Sequence, residues 1–114
     1  MSDCVFCKIT KGEAPATIRY EDDDIIAFDD INPKAPVHVL IVPKEHIEST
    51  RELTEKYDEM VGKMVRTAPY IAEKLDIIDS GYKLIINTGK EAGQLVDHLH
   101  IHLLGGKTLE RLEV

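Results

Sequence analysis

His98, His100 and His102 alternate with Leu99, Ile101 and Leu103. Side chains on a strand point to opposite faces with period two. A strand over residues 98–104 therefore puts the three imidazoles on one face and the aliphatic side chains on the other, where they can anchor it in a core. An imidazole changes charge near neutral pH and can act as nucleophile, acid, base or metal ligand. Such a row suits a three-histidine metal site or a catalytic imidazole with two supporting neighbours. Cys4 and Cys7 form the second feature. A Cys-x-x-Cys pair in a cytosolic chain points to zinc or to redox chemistry. No strand precedes this pair, which disfavours a thioredoxin-like arrangement. Zinc needs two further ligands, and neither can be a cysteine here. His46 and His98 are the available candidates, because His38 lies in a strand that reads as buried. A closed Cys2His2 site of this kind, one zinc per chain, is structural and would tie the N-terminus to the sheet. His100 and His102 then remain for chemistry.

The loop Asn87-Thr88-Gly89-Lys90-Glu91-Ala92-Gly93-Gln94 leads directly into the histidine segment. Glycines let backbone N–H groups approach a ligand, and successive N–H groups form an anion-binding nest. Asn87 and Gln94 add amide donors. The loop is not a Walker A motif, since Gly-Lys-Ser/Thr is absent and a strand follows it. Beside two free imidazoles it reads as a phosphate cradle.

Several elements must position these groups. Ile18–Tyr20 and Ile25–Phe28 flank an acidic turn and form a hairpin. Val37–Val42, apolar on both faces and stopped by Pro43, reads as a central strand. Leu53, Tyr57, Met60, Val61, Met64 and Val65 recur at three- and four-residue steps, which predicts a helix over residues 52–67. Ser49 and Glu52 have capping-box spacing, with Thr50 a competing cap. The stripe continues through Ala68, Ile71, Ala72 and Leu75, so Pro69 predicts a kink or a second helix capped by Thr67. Tyr82–Asn87 is a fourth strand, the histidine segment a fifth, and Gly105-Gly106 ends it. These elements make an α+β domain.

The 114 residues fit one domain, 1–114, with a core over 3–106 and a short tail over 107–114. A chain this small gains from oligomerisation. The net charge of −7 disfavours nucleic-acid and membrane-surface partners but leaves room for a small phosphate-bearing ligand held by local donors. There is no bilayer-spanning run and no signal-peptide pattern, so a cytoplasmic location with reduced cysteines is expected.

Together these residues resemble the histidine-triad (HIT) superfamily, and within it the zinc-bearing Hint branch of nucleotide phosphoramidases. The signature reads His98-Leu99-His100-Ile101-His102-Leu103-Leu104, followed by Gly105-Gly106. Asp3-Cys4-x-Phe6-Cys7-Lys8-Ile9, Ala27-Phe28-x-Asp30-Ile31-x-Pro33, Ala35-Pro36-x-His38, Ile41-x-Pro43-Lys44-x-His46 and Asn87-x-Gly89 through Gly93-Gln94 are similar to Hint segments in the expected order. The resemblance implies a five-stranded antiparallel sheet with one main helix and a short N-terminal helical segment, and a homodimer joined into a ten-stranded sheet. It implies a purine nucleoside phosphate (AMP/GMP-type) as substrate or product, with His100 attacking the α-phosphorus to give a covalent nucleotidyl-histidine. His102 would hydrogen-bond the phosphate together with Asn87, Gly93 and Gln94. Asp30 would hold the ribose hydroxyls. Ile31, Phe6, Ile9, Phe28 and Leu40 would wall the base pocket, and His38 would approach the leaving-group side. Cys4, Cys7, His46 and His98 correspond to the zinc ligands. Leu95 departs from the pattern, because well-known Hint proteins carry a serine there that bonds near the leaving group; Asp97 replaces a frequent aromatic residue. A nucleotide-binding regulatory module with little turnover and a dinucleoside polyphosphate hydrolase are the alternatives. A metallohydrolase with all three triad histidines on one zinc leaves Cys4 and Cys7 without a role.

Overall fold

The computed structural model describes residues 4–111. Asp3, which opens the N-terminal motif, and the last three residues of the tail lie outside them. The elements run α1 (Val5–Thr10), β1 (Ile18–Glu21), β2 (Ile25–Asp29), β3 (Val37–Pro43), α2 (Asp58–Lys74), β4 (Tyr82–Ile85) and β5 (Ile101–Gly105). The strands form one five-stranded antiparallel sheet in the order β1-β2-β3-β5-β4. This is the α+β architecture expected. Among the described residues no helix is long and apolar enough to cross a membrane.

Alternation sorts the sheet into two faces. Ile25, Ala27, Val39, Ile41, Ile101 and Leu103 pack with Leu99, Met64, Ala68 and Ile71 into the core beneath α2. Ile26, Phe28, Leu40 and Val42 face the other way and meet Phe6 and Ile9 of α1. Leu40 pairs with His102 across the β3–β5 ladder, so His102 belongs to this second face. The helix core thus fixes the sheet from behind, and the histidines stand on the opposite side.

Three expectations about element bounds are corrected. The ladder of β5 begins at Ile101, leaving His98 and His100 before it. Pro43, at the facing end of β3, has no N–H to continue the pairing. Its carbonyl accepts instead from the His98 ring at 2.8 Å, while the Leu99 N–H donates to Ile47 O at 2.6 Å. The in–out alternation persists nonetheless, with Leu99 in the helix core. The main helix starts at Asp58, not near residue 52. Ser49 caps a separate 3-10 turn, Thr50–Glu52, by accepting from Arg51 N at 3.2 Å. Finally, α2 runs through Pro69 as one helix, and Thr67 does not cap a second one, because its hydroxyl donates to Lys63 O at 2.7 Å within the helix. Met64, Thr67, Ala68, Ile71 and Ala72 are buried on both sides of the proline, and that packing outweighs its missing hydrogen bond.

Gly106 closes β5 at φ +89°, and an added Cβ would lie 2.9 Å from Pro36 Cβ. Gly106→Ala should therefore lower stability by about 1–3 kcal/mol, read as a shift in the denaturant midpoint. An unchanged midpoint would show that this strand end does not constrain the fold.

Candidate active site and metal centre

The tautomers of three histidines follow from backbone groups that can only donate or only accept. His100 Nδ1 lies 2.6 Å from the carbonyl of His98, so Nδ1 carries the proton and Nε2 keeps its lone pair. His38 Nδ1 accepts the Lys34 N–H at 3.0 Å, so its proton sits on Nε2. That Nε2 is 3.0 Å from His102 Nδ1 and 3.4 Å from Asp30 Oδ2. His102 Nδ1 thus accepts, and its Nε2 carries a proton. Neither His100 Nε2 nor His102 Nε2 bonds a described residue, yet no buried side-chain N or O among those residues lacks a partner. Both nitrogens therefore open on the cleft that the two rings line. One presents a lone pair and the other a proton.

Burial holds these rings neutral. His102 is pushed down to about 4, first by burial and then by its neighbours His100 and His38. Burial also lowers His38 against the pull of Asp30, and lowers His100 against its bond to the His98 carbonyl.

The cleft has a volume of about 730 Å³, within the range of small-molecule sites. Phe6, Ile9, Phe28 and Leu40 give it an apolar wall, and Asp30 and Ile31 lie at the same cleft. Asp30 comes from the turn after β2, where its Oδ1 accepts the Asn32 N–H at 2.8 Å. Asn87, Gly93 and Leu95 join from the loop before the triad. Ile31 and Leu95 are 88% and 93% exposed, so two large apolar side chains flank the opening. Sequence reasoning missed Lys34, whose amide fixes the His38 tautomer; nothing in its side chain signals that role. It also missed Val96, legible only as an aliphatic residue beside Leu95.

The loop itself differs from an open nest. Ala92 N–H and Gln94 N–H donate to Gly89 O, and Gly93 N–H donates to Lys90 O, so these amides serve the turn. The Leu95 amide donates to no described residue. Gln94 is not a cleft residue. Its Oε1 accepts Gly89 N–H at 2.8 Å, and its Nε2 donates to Glu48 O at 2.7 Å and Val96 O at 3.0 Å. The resemblance implied a phosphate contact for Gln94; here its whole amide braces the loop, because the carbonyls of Glu48 and Val96 consume both donors.

The second cluster is the expected metal set. The ligand atoms of Cys4, Cys7, His46 and His98 all lie within 4.8 Å of one another. Cys4 Sγ is 3.3 Å and Cys7 Sγ 3.7 Å from His98 Nδ1, and Cys7 Sγ is 3.2 Å from His46 Nδ1. A tetrahedral zinc separates sulfur and nitrogen ligands by about 3.5 Å. His98 Nε2–H is fixed on Pro43 O at 2.8 Å, so Nδ1 is free to ligate, with the second-shell partner that zinc histidines require. The donor set fits zinc. Asp30, His38 and His102 also bring three donors within 4.8 Å. The Lys34 amide occupies the lone pair of His38 Nδ1, leaving the proton on Nε2, so this trio is a hydrogen-bonded chain and not a metal site.

The family described as "scavenger mRNA decapping enzyme C-term binding" matches residues 3–112. A purine nucleoside phosphoramidase of Escherichia coli is 42% identical over 107 residues, 94% of this chain and 90% of that protein. The HIT family hydrolase of Clostridium thermocellum superimposes with a TM-score of 0.95 at 50% identity, covering 100% of this chain and 99% of that one. A zinc-bound histidine triad family protein of Mycobacterium smegmatis gives 0.82 at 32% identity, over 96% and 79%.

Two outcomes follow from the site. The folded-state value of His102 lies below that of a free histidine, so the unfolded chain binds more protons between about pH 6.5 and 4. Stability should fall as pH drops through that window, and less so in His102→Asn; equal slopes for the two in urea unfolding would contradict a buried neutral His102. Gln94→Glu replaces both Nε2 donors with a carboxylate facing two carbonyls. It should cost about 1–3 kcal/mol in the same assay, and a loss within error would remove the brace.

Proposed function

The chain belongs to the histidine-triad superfamily, and on that premise we propose that it is a purine nucleotide-binding hydrolase that cleaves nucleoside 5′-phosphoramidates or related nucleotidyl conjugates. The observation that carries this reading is the pair of opposed imidazole nitrogens, a lone pair on His100 Nε2 and a proton on His102 Nε2, opening on one cleft. An anionic phosphate needs donors, and a substitution at phosphorus needs a neutral nucleophile. The similarity to a phosphoramidase supports the same class.

His100 Nε2 attacks the α-phosphorus, and the bond from phosphorus to the leaving nitrogen breaks. The amine departs with that electron pair and takes a proton from solvent. Water then attacks phosphorus and the P–Nε2 bond breaks, which returns the lone pair to His100 and releases the nucleoside monophosphate and a proton. His102 Nε2–H, Asn87 and the Leu95 amide supply donors to the phosphate, with Gly93 allowing close approach. His38 holds His102 in the donor tautomer from the leaving-group side. Asp30 accepts from the ribose hydroxyls, and Phe6, Ile9, Phe28, Leu40 and Ile31 enclose the base. Zinc on Cys4, Cys7, His46 and His98 would supply folding energy, not chemistry. Two chains would form the homodimer. The unpaired edge of β4 is open for such pairing.

Hydrolysis of adenosine 5′-phosphoramidate should be lost by about 10⁴-fold or more in His100→Gly. Mass spectrometry of quenched wild type should show a nucleotidyl adduct on His100. Equal turnover in both proteins would overturn nucleophilic catalysis by His100. Tight AMP binding with no turnover in either would favour the regulatory module.

A further inference from the structure

The metal cluster and the cleft are built on shared residues. His98 is fully buried and faces three ways. Its Nδ1 points at the two thiols, its Nε2–H is held by Pro43 O, and its own carbonyl holds the Nδ1–H of His100. Anchored through both ring nitrogens, His98 holds its main chain in place, and any shift of that main chain moves the carbonyl that sets the tautomer and aim of His100. Phe6 makes the second link. Its ring lies edge-to-face on His98 at 5.7 Å, on His100 at 5.2 Å and on Phe28 at 5.4 Å. Phe6 sits between Cys4 and Cys7 on α1, a helix of six residues. A helix that short does not form alone. Its cap is Cys4 Sγ, which accepts Cys7 N–H at 3.4 Å. The same helix gives Val5, Phe6 and Ile9 to the cleft wall.

We propose that His98 and Phe6 are positioning residues through which metal loading at Cys4, Cys7, His46 and His98 sets the affinity of the cleft for its nucleotide. The proposal rests on the reading of the cleft as a nucleotide site. A metal on the four donors pins α1 to the sheet and fixes His98. Phe6 then stands in place as a wall, and His100 keeps its lone pair toward the ligand. Without the metal, the N-terminal end of α1 loses its tie to His46 and His98, and the wall it carries is held only by the packing of Phe6 and Ile9 on the sheet. Coupling of this kind is reciprocal: nucleotide tightens the metal by the factor that metal tightens nucleotide.

The test titrates AMP calorimetrically into zinc-loaded and chelator-stripped protein and measures zinc partition to a chromogenic chelator with and without AMP. Loaded protein should bind AMP about tenfold more tightly than stripped protein, and saturating AMP should raise zinc affinity by the same factor. Phe6→Leu retains all four donors. It should bind zinc as wild type does, hold AMP more weakly, and lose most of the AMP effect on zinc. Absence of AMP binding by loaded wild type would reject the nucleotide reading itself. AMP binding that is equal with and without zinc, together with zinc partition indifferent to AMP, would overturn the coupling alone. If the stripped chain unfolds, partition in loaded protein decides: coupling through global folding persists undiminished in Phe6→Leu and would overturn the proposal, whereas its loss supports it.

Discussion

A single backbone carbonyl, that of His98, governs the chemistry of this fold. An imidazole with neither nitrogen engaged would exchange tautomers and so present a proton where a lone pair is needed. The bond from His100 Nδ1 to that carbonyl removes the choice. The carbonyl is available because His98 lies before β5, whose pairing begins only at Ile101. The interruption of regular pairing is thus what frees a main-chain acceptor for a side chain. Burial of the ring completes the arrangement by keeping it unprotonated.

The same device recurs with opposite sign at His38. There an amide, from Lys34, takes the lone pair of Nδ1 and pushes the proton to Nε2. Passed along to His102, that choice leaves a donor facing the cleft. His100 and His102, two residues apart, thus acquire complementary tautomers, one from a main-chain carbonyl directly and the other from a main-chain N–H relayed through His38. Replacing either partner by water would leave the cleft with unassigned protons, which is why the loop after Pro33 matters as much as the strand.

How much of this was legible follows from the range of the forces. The two faces of the sheet were readable, since alternation of Ile25 through Phe28 and of Leu99 through Leu103 is a local pattern fixed by strand geometry. The grouping of Cys4, Cys7, His46 and His98 was readable as well, because few residue types ligate zinc and the chain offers few of them. Bounds were not. The start of α2 depended on Ser49 capping a separate short turn, and its passage through Pro69 depended on burial against the sheet, a tertiary term that no local propensity contains. The partners of the Gln94 side chain were not legible for the same reason. Its amide type suits a phosphate, but its partners, Glu48 O and Gly89 N–H, are brought together only by the fold.

The electrostatics of the cleft explain why it relies on oriented dipoles. The chain carries a net charge of −7, and Lys34 is the only lysine or arginine among the described residues that line the cleft. Protonated histidines would attract a phosphate more strongly, yet a protonated His100 has no lone pair with which to attack. The low values of the buried rings therefore trade long-range attraction for reactivity. On the proposed reading, what would hold the anion is short-range: the His102 N–H, set in advance by His38, with the Asn87 amide and a main-chain N–H at Leu95 beside it. Donors fixed in advance need no reorganisation as charge develops, and in a cleft walled by Phe6, Phe28 and Leu40 they act in a low dielectric. On that reading the apolar wall is part of the electrostatic design: it keeps the His100 ring neutral and would strengthen the few dipoles that meet a phosphate.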